Sequence, residues 1–487
     1  MTIQGPSVIG TEAAPAHPGA RMTRSLLDPH DSITPLPQFL RWLEEYGRQD
    51  ETEVRQMRLD ELDQWNIDPG TGNVGHDSGR FFTIEGLRAH RPGGPVERWT
   101  QPIIRQPEIG ILGILVKEFD GVPHCLMQAK VEPGNFNGVQ LSPTVQATRS
   151  NYTRVHKGRA VPYLEYFRDA GRHRVLADVL QSEQGTWFYQ KRNRNMVVEV
   201  TEDVEVLDEF CWVSAGQLHL LLTHPDLVNM DSRTVMGCMP MRAADPATGA
   251  PDPRADDGGL RASVARSTAE ASDARFARTL QWITDVRTHT DMWADLIPLN
   301  QVTGWELADG LVRHTDGLFF EIIGVGITTG GREVRRWTQP LLYPKGTGLA
   351  AFFVRRVEGV LEVLVHAHVE PGLMDVLELG PTVQCTVDNH AHLPEERRPR
   401  FLDAALNADP AAIRFDTLLS EEGGRFHHAR TRYLVVETTE DRTVDAGPEH
   451  RWMTLREMSL LMRHSNYVNV EARTLVACLH SLLKGNG

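Results

Sequence analysis

The feature that most constrains this chain is that it is written twice. Trp99-Thr-Gln-Pro returns as Trp337-Thr-Gln-Pro, Val131-Glu-Pro-Gly as Val369-Glu-Pro-Gly, and Pro143-Thr-Val-Gln as Pro381-Thr-Val-Gln, each displaced by 238 positions. An ungapped comparison of Trp99–Gln146 with Trp337–Gln384 finds 19 identities in 48 positions, too many for unrelated segments. Toward the ends the offset becomes 240, so that Trp42 and Trp65 meet Trp282 and Trp305, and Asn229, Arg233 and Cys238 meet Asn469, Arg473 and Cys478. Solenoid and propeller units run about 20–50 residues, so a period this long describes two whole domains. Residues 1–30 read as a mobile arm, 31–240 as copy one, 241–270 as a Pro/Gly/Ala/Asp-rich linker and 271–487 as copy two.

Within copy one, Ile109–Lys117 is a branched apolar run, Asp120-Gly121 is a turn signal and Val122–Glu132 alternates, which predicts a β-hairpin. Gly348–Arg355, Glu358-Gly359 and Val360–Glu370 repeat it in copy two. Apolar residues recurring at three and four predict helices over Pro35–Tyr46, Pro162–Asp169 and Ser214–His224, with partners near Arg275–Val286 and Thr454–His464. Each copy is therefore expected to be an α+β unit built around a sheet.

The second hairpin strand has a polar face. His124, Gln128, Lys130 and Glu132 share one row in copy one, and Glu362, His366, His368 and Glu370 share it in copy two. A solvated sheet face would read the same way. What favours chemistry is that each strand runs into Glu-Pro-Gly, leaving Glu132 and Glu370 where strand gives way to loop, with Thr144 and Gln146 following in the next segment. The copies then diverge. Copy one supplies Arg149, Asn151, Tyr152 and His156, whereas Val387 and His390 stand in place of Arg149 and Tyr152 in copy two, so copy one is the better equipped for catalysis. Arg192 and Arg194 recur as Arg430 and Arg432; at i and i+2 on an extended chain they point the same way, placed either to fork around a diphosphate or to discourage edge pairing.

Composition limits the partners. A net charge of −14 argues against broad attachment to nucleic acid or an anionic membrane, so an anionic ligand must be held by a local cation cluster. The five scattered cysteines form no CxxC pair and fit a reducing cytoplasm, and no apolar run reaches membrane-spanning length. No Walker A loop or GxGxxG turn is present. His366, His368 and Glu370 resemble a ligand set for a transition metal, but Lys130 at the matching position of copy one disfavours a cation, and no metal is expected.

Together these residues resemble the NDP-hexose 2,3-dehydratase family. Carrying the resemblance are WTQPII at Trp99–Ile104, QAKVEPGNFNGVQLSPTVQATRSNYT at Gln128–Thr153, PYLEYF at Pro162–Phe167, and LQSEQGTWF with KRNRN between Leu180 and Asn195. The resemblance implies tandem Nudix-like domains related by pseudo-twofold symmetry, a homodimer, and a sugar-nucleotide pocket in each copy. The carboxylate-rich Mg²⁺-binding helix of Nudix hydrolases is not matched, so diphosphate hydrolysis is not expected. The implied substrate is dTDP-4-keto-6-deoxy-α-D-glucose, which loses its C3 hydrogen and C2 hydroxyl without a redox cofactor and passes to a 3-ketoreductase. In these terms Glu132 or His156 is the base, Lys130 and Tyr152 serve the enolate and the leaving hydroxyl, and Arg149, Arg192 and Arg194 hold the diphosphate. Asn135, Asn151, Thr144, Gln146 and Trp99 complete substrate binding, and Glu370, His366, His368, Arg430, Arg432 and Trp337 form a second pocket. The competing class is a non-catalytic sugar-nucleotide sensor on the same fold.

Overall fold

Gly110–Phe119 is apolar almost without interruption and is buried from Gly110 to Val116, the mark of a strand covered on both faces. A computed structural model of the chain describes residues 17–148, 161–242, 259–269, 271–330, 336–390, 393–438 and 446–484. The hairpin closes as its turn chemistry requires: Asp120 and Gly121 have φ of 50° and 81°, and Glu358 and Gly359 have 50° and 78°, the left-handed pair that matches strand twist.

Around the hairpin, copy one builds a seven-stranded mixed sheet in the order Arg174–Ser182, Arg192–Val200, Gly110–Phe119, Val122–Val131, Phe210–Ser214. The short strands Val139–Ser142 and Val145–Ala147 pair onto its two central strands. Arg192–Val200 runs parallel to Gly110–Phe119, and the other pairs are antiparallel. Copy two repeats the sheet as Ile413–Ser420, Arg430–Glu437, Gly348–Val357, Val360–Val369 and His450–Met453.

Each copy also carries a smaller sheet, and there the copies exchange strands. Glu53–Met57 of copy one pairs antiparallel with Phe320–Thr328 of copy two, while Trp293–Ile297 of copy two pairs with Thr83–His90 of copy one. Helices Met230–Gly237 and Val470–Ser481 pack on each other, and one hydrophobic cluster runs from Met22 and Phe39 through Val235 to Phe352, Leu475 and Leu479. The two copies thus share a core. At their contact Arg233 donates to the Ser420 carbonyl and Arg473 to the Ser182 carbonyl, both at 2.7 Å, from fully buried guanidinium groups.

Two expected boundaries are corrected. The arm expected over 1–30 contains the helix Pro18–Leu27, which buries Met22 and Leu26, and the linker expected over 241–270 ends in the helix Leu260–Ala269, which buries Val264 and Ala265. Leu260–Ala269 buries mostly small residues that carry a weak hydrophobic signal, whereas Pro18–Leu27 has a distinct apolar face with Met22 and Leu26 that its Pro/Ala/Gly-rich surroundings obscured. They pack in equivalent places, against the second hairpin strand of their own copy, and so belong to the copies. Among the described residues no helix is long and apolar enough to cross a membrane. All five cysteines are free thiols.

Candidate active site

Glu132 stands at the end of Val122–Val131, at the point where Pro133 stops the ladder. Its Oε1 lies 3.2 Å from Lys130 Nζ and accepts a hydrogen bond from Gln146 Nε2 at 2.8 Å. Gln146 is in turn fixed by Asn229, which bridges it at 3.4 Å and Ser142 at 2.8 Å. Lys130, Glu132 and Gln146, singled out in the sequence, therefore come together.

The wall facing them comes from the other copy. The turn Glu421–Phe426 of copy two enters beside Glu132: Gly134 N donates to Gly423 O at 2.7 Å and His428 N to Gly134 O at 2.8 Å. Gly134 must be glycine, because a Cβ there would fall 1.7 Å from the Phe426 carbonyl oxygen. This explains the glycine of Glu-Pro-Gly: the neighbouring copy's backbone lies directly on it. The relation is reciprocal, since Gly372 N donates to Gly185 O at 2.8 Å, bringing the turn Glu183–Phe188 of copy one beside Glu370.

Trp-Thr-Gln-Pro anchors those turns. Trp99 Nε1 donates to Gln101 Oε1 at 2.9 Å, which aims the Gln101 amide at Thr186 O, 2.7 Å away. Trp337 and Gln339 repeat this toward Gly424 O at 3.0 Å. The indole N–H of Trp99 and of Trp337 thus serves to position a turn.

The copy-one pocket is dense in buried charge. Burial pushes Glu183 up to about 7, with Glu422 adding repulsion, and Asn193 donates to its Oε1 at 2.7 Å. Burial likewise raises Asp231 well above the ordinary range and lowers Lys191, whose ammonium donates to the Glu108 carbonyl. From copy two, Glu422 is raised by burial, and Arg425 donates to Gln106 Oε1 at 3.0 Å and covers the Phe82 ring at 4.3 Å. The carboxyls of Glu183, Asp231 and Glu422 repel one another in this buried space, an arrangement common at functional sites.

The copy-two pocket also holds buried carboxyls, with burial raising Glu471 well above the ordinary range and pushing Glu378 up to about 7. Glu370 accepts from Gly185 N at 2.9 Å and Thr186 Oγ1 at 2.8 Å, with His368 Nε2 at 3.4 Å and Gln384 Nε2 at 3.4 Å. Burial pushes its carboxyl up, but His368, Thr186 and the Gly185 N–H together hold it below the usual range. His366 stacks on His450 at 4.4 Å and faces Glu449 at 3.6 Å. Among the described residues no group of three or more His, Cys, Asp or Glu is arranged to hold a metal ion.

Other expected residues have different surroundings. Thr144 accepts from Leu115 N at 2.8 Å and donates to the Leu126 carbonyl, a strand-bridging role that leaves its hydroxyl no spare proton. Asn135 donates to Gly138 O at 2.7 Å beside Gly423. The two-arginine fork is not free in either copy. Arg194 is closed by Asp178 in a bidentate pair at 2.7 and 2.6 Å, and Arg432 by Asp416 at 2.8 and 2.6 Å, because a diagonal cross-strand register brings each pair together. Arg430 pairs with Asp226 at 2.7 Å and covers Phe136 at 4.0 Å, and Arg192 keeps a buried Nε without a partner among the described residues. Arg149, Asn151, Tyr152 and His156 lie outside the described residues.

Sequence reasoning missed Glu183, Asp231, Glu422 and Arg425. The signal for the last two was the repeat itself, read for differences: at the 238-residue offset Gln184 stands opposite Glu422 and Trp187 opposite Arg425.

The sequence pattern of one family, NDP-hexose 2,3-dehydratase, matches the chain twice, over residues 36–239 and 276–479. A dTDP-4-dehydro-6-deoxy-alpha-D-glucopyranose 2,3-dehydratase of Saccharopolyspora spinosa is 46% identical over 482 residues, 98% of this chain and 99% of the relative. Proteins of the same name from Amycolatopsis orientalis and Streptomyces violaceoruber are 46% and 47% identical, covering 90% and 92% of this chain and 89% and 98% of their own.

Proposed function

The chain belongs to the NDP-hexose 2,3-dehydratase family, and from that premise we infer that it removes water from dTDP-4-keto-6-deoxy-D-glucose to give the 3,4-diketo-2,6-dideoxy sugar. The C4 ketone acidifies the C3 hydrogen. A base takes that proton, the electron pair of the C3–H bond passes into an enolate over C3, C4 and the ketone oxygen, and its collapse to a C2=C3 double bond expels the C2 hydroxyl as water. The enol left at C3 becomes the second ketone. The steps need a base, a donor for the enolate oxygen and an acid for the leaving group, and atoms balance without an oxidant or reductant.

Copy one is where this happens, with Glu132 as the base. The observation that carries the reading is the contrast between the two strand-end carboxylates. Among the described residues Glu132 is held only by Lys130 and Gln146, whereas Glu370 is engaged by four donors. A carboxylate held on one side and open on the other is fit to accept a proton; one bonded throughout is fit to hold a loop. Lys130, adjacent to the base, supplies the cation for the developing enolate. Tyr152, in the sequence that follows Gln146, is proposed to assist Lys130 at the enolate oxygen, with Arg149 on the diphosphate.

Each half is read as a Nudix-like unit reused for binding, supported by the mixed sheet flanked by helices. A cytoplasmic homodimer that hands its labile diketone to a 3-ketoreductase completes the proposal; the free thiols are in keeping with that compartment. The test is to incubate purified protein with the 4-keto sugar nucleotide and a trapping 3-ketoreductase. A 2,6-dideoxy product is expected; tight binding without water loss would instead make the protein a sensor.

A further inference from the structure

We propose that Glu422, which copy two contributes to the copy-one pocket, is the acid that protonates the departing C2 hydroxyl. This rests on the dehydration reading above and deepens it, because it makes the second copy part of the catalytic machinery.

Geometry places the residue. The turn that carries Glu422 is clamped on both sides of Gly134, and a Cβ built on Gly424 would touch Glu422 Oε1 at 3.3 Å and Glu132 Oε1 at 3.6 Å. The two carboxyls therefore border one small space, entered from two copies of the fold. Glu422 is enclosed by protein yet partly open to the pocket, and among the described residues no group hydrogen-bonds its carboxyl. A side chain on an anchored turn, with no hydrogen-bond partner among the described residues and bordering the same space as the base, can offer its acid to a substrate.

The charges around it separate the two roles. Glu422 faces Glu132, Lys130, Lys191 and Arg425, with Glu183 and Asp231 in the same pocket. Glu132 has the Lys130 ammonium at 3.2 Å and the Gln146 amide at 2.8 Å. Burial, with Glu132 adding repulsion, favours the protonated form of Glu422 even though Arg425 and the lysines oppose this. Two nearby carboxyls in unlike surroundings divide into base and acid, each doing what its environment prefers. In the step, Glu132 takes the C3 proton, the C2–O bond breaks with its pair going to oxygen, and Glu422 gives its proton to that oxygen, so that water leaves and Glu422 is left as carboxylate. Copy two lacks the device, since its pocket receives Gln184 and Trp187 where copy one receives Glu422 and Arg425.

Fluoride leaves without a proton, so the test compares the natural 2-hydroxyl sugar nucleotide with its 2-deoxy-2-fluoro analogue, which yields the same diketone. In full-length Glu422→Gln, turnover of the 2-hydroxyl substrate should fall by about 10²–10⁴-fold, the range for loss of a general acid. Exchange of the C3 hydrogen with solvent deuterium and turnover of the 2-fluoro substrate should both stay within a few-fold of wild type. A variant that dehydrates the 2-hydroxyl sugar at the wild-type rate, or loses both substrates equally while still folded, overturns the assignment. Should the variant not fold, the wild-type pH profiles decide. The rate on the 2-hydroxyl sugar should decline at alkaline pH where that on the 2-fluoro sugar does not, and superimposable profiles overturn the assignment. A wild-type protein that converts neither substrate contradicts the dehydratase reading itself, a result distinct from all of these.

Discussion

Single side chains here are read through what surrounds them, and Glu378 shows how far that carries outside the active site. Its carboxyl is fully buried, accepts from Ser182 Oγ at 2.5 Å, and is pushed up to about 7 by burial. Below the ordinary value of 4.5 it is protonated in folded and unfolded chains alike. Between about 4.5 and about 7 the folded protein retains a proton that the unfolded chain has released, so stability from this group falls as pH rises through that window and levels off above it. Replacing it by Glu378→Gln should remove the slope. In chemical denaturation the variant should gain on wild type by on the order of 2–3 kcal/mol between pH 4.5 and pH 8; a difference that does not change with pH contradicts the burial argument. At this scale the sequence was informative where two copies could be compared. Lys130 and Glu132 lay at a strand end marked by Pro133, Gln146 lay on a following short strand, and the three meet. The pairing of Arg194 with Asp178 and of Arg432 with Asp416 was not legible, because it arises from the diagonal register of neighbouring strands.

Elements decide whether those side chains meet, and the decisive one is the turn Glu421–Phe426 pressed on Gly134. Ala at 134 would place its Cβ on the Phe426 carbonyl, so the turn must move. Gly134→Ala is expected to cost about 1–3 kcal/mol, the range for forcing an added carbon into a packed interior. Because the displaced turn carries Glu422 and Arg425 away from Glu132, turnover should drop by more than 10-fold with substrate still bound, as separate melting and binding measurements can establish. Retention of full activity would show that the turn does not shape the site. The hairpins were legible because Asp-Gly and Glu-Gly turns flanked by apolar runs are strong local signals. The helix Leu260–Ala269 was not, because burial of Ala, Ser and Thr leaves little hydropathy contrast to read.

The whole molecule is two copies that share strands and a core. Each small sheet takes a strand from the other half, the central helices share one core, and Arg233 and Arg473 each satisfy a carbonyl across the contact. Separately produced halves, cut within 243–258, are therefore expected to be unfolded or aggregated alone and to recover activity when co-produced; a stable, folded single half contradicts the shared core. The repeat announced two domains, but nothing in either copy's pattern says that its strands and turns are completed by the other. That knowledge needs the three-dimensional register. Only the copy-one pocket is expected to perform the elimination, and paired substitutions in the two copies separate the alternatives. Under single-turnover conditions in D2O with the 4-keto sugar nucleotide, Glu132→Gln should slow both C3 deuterium exchange and water loss by about 10²-fold or more, the scale of a lost general base. Glu370→Gln should leave both rates within a few-fold of wild type, whereas normal rates in Glu132→Gln together with their loss in Glu370→Gln would place the chemistry in the other copy.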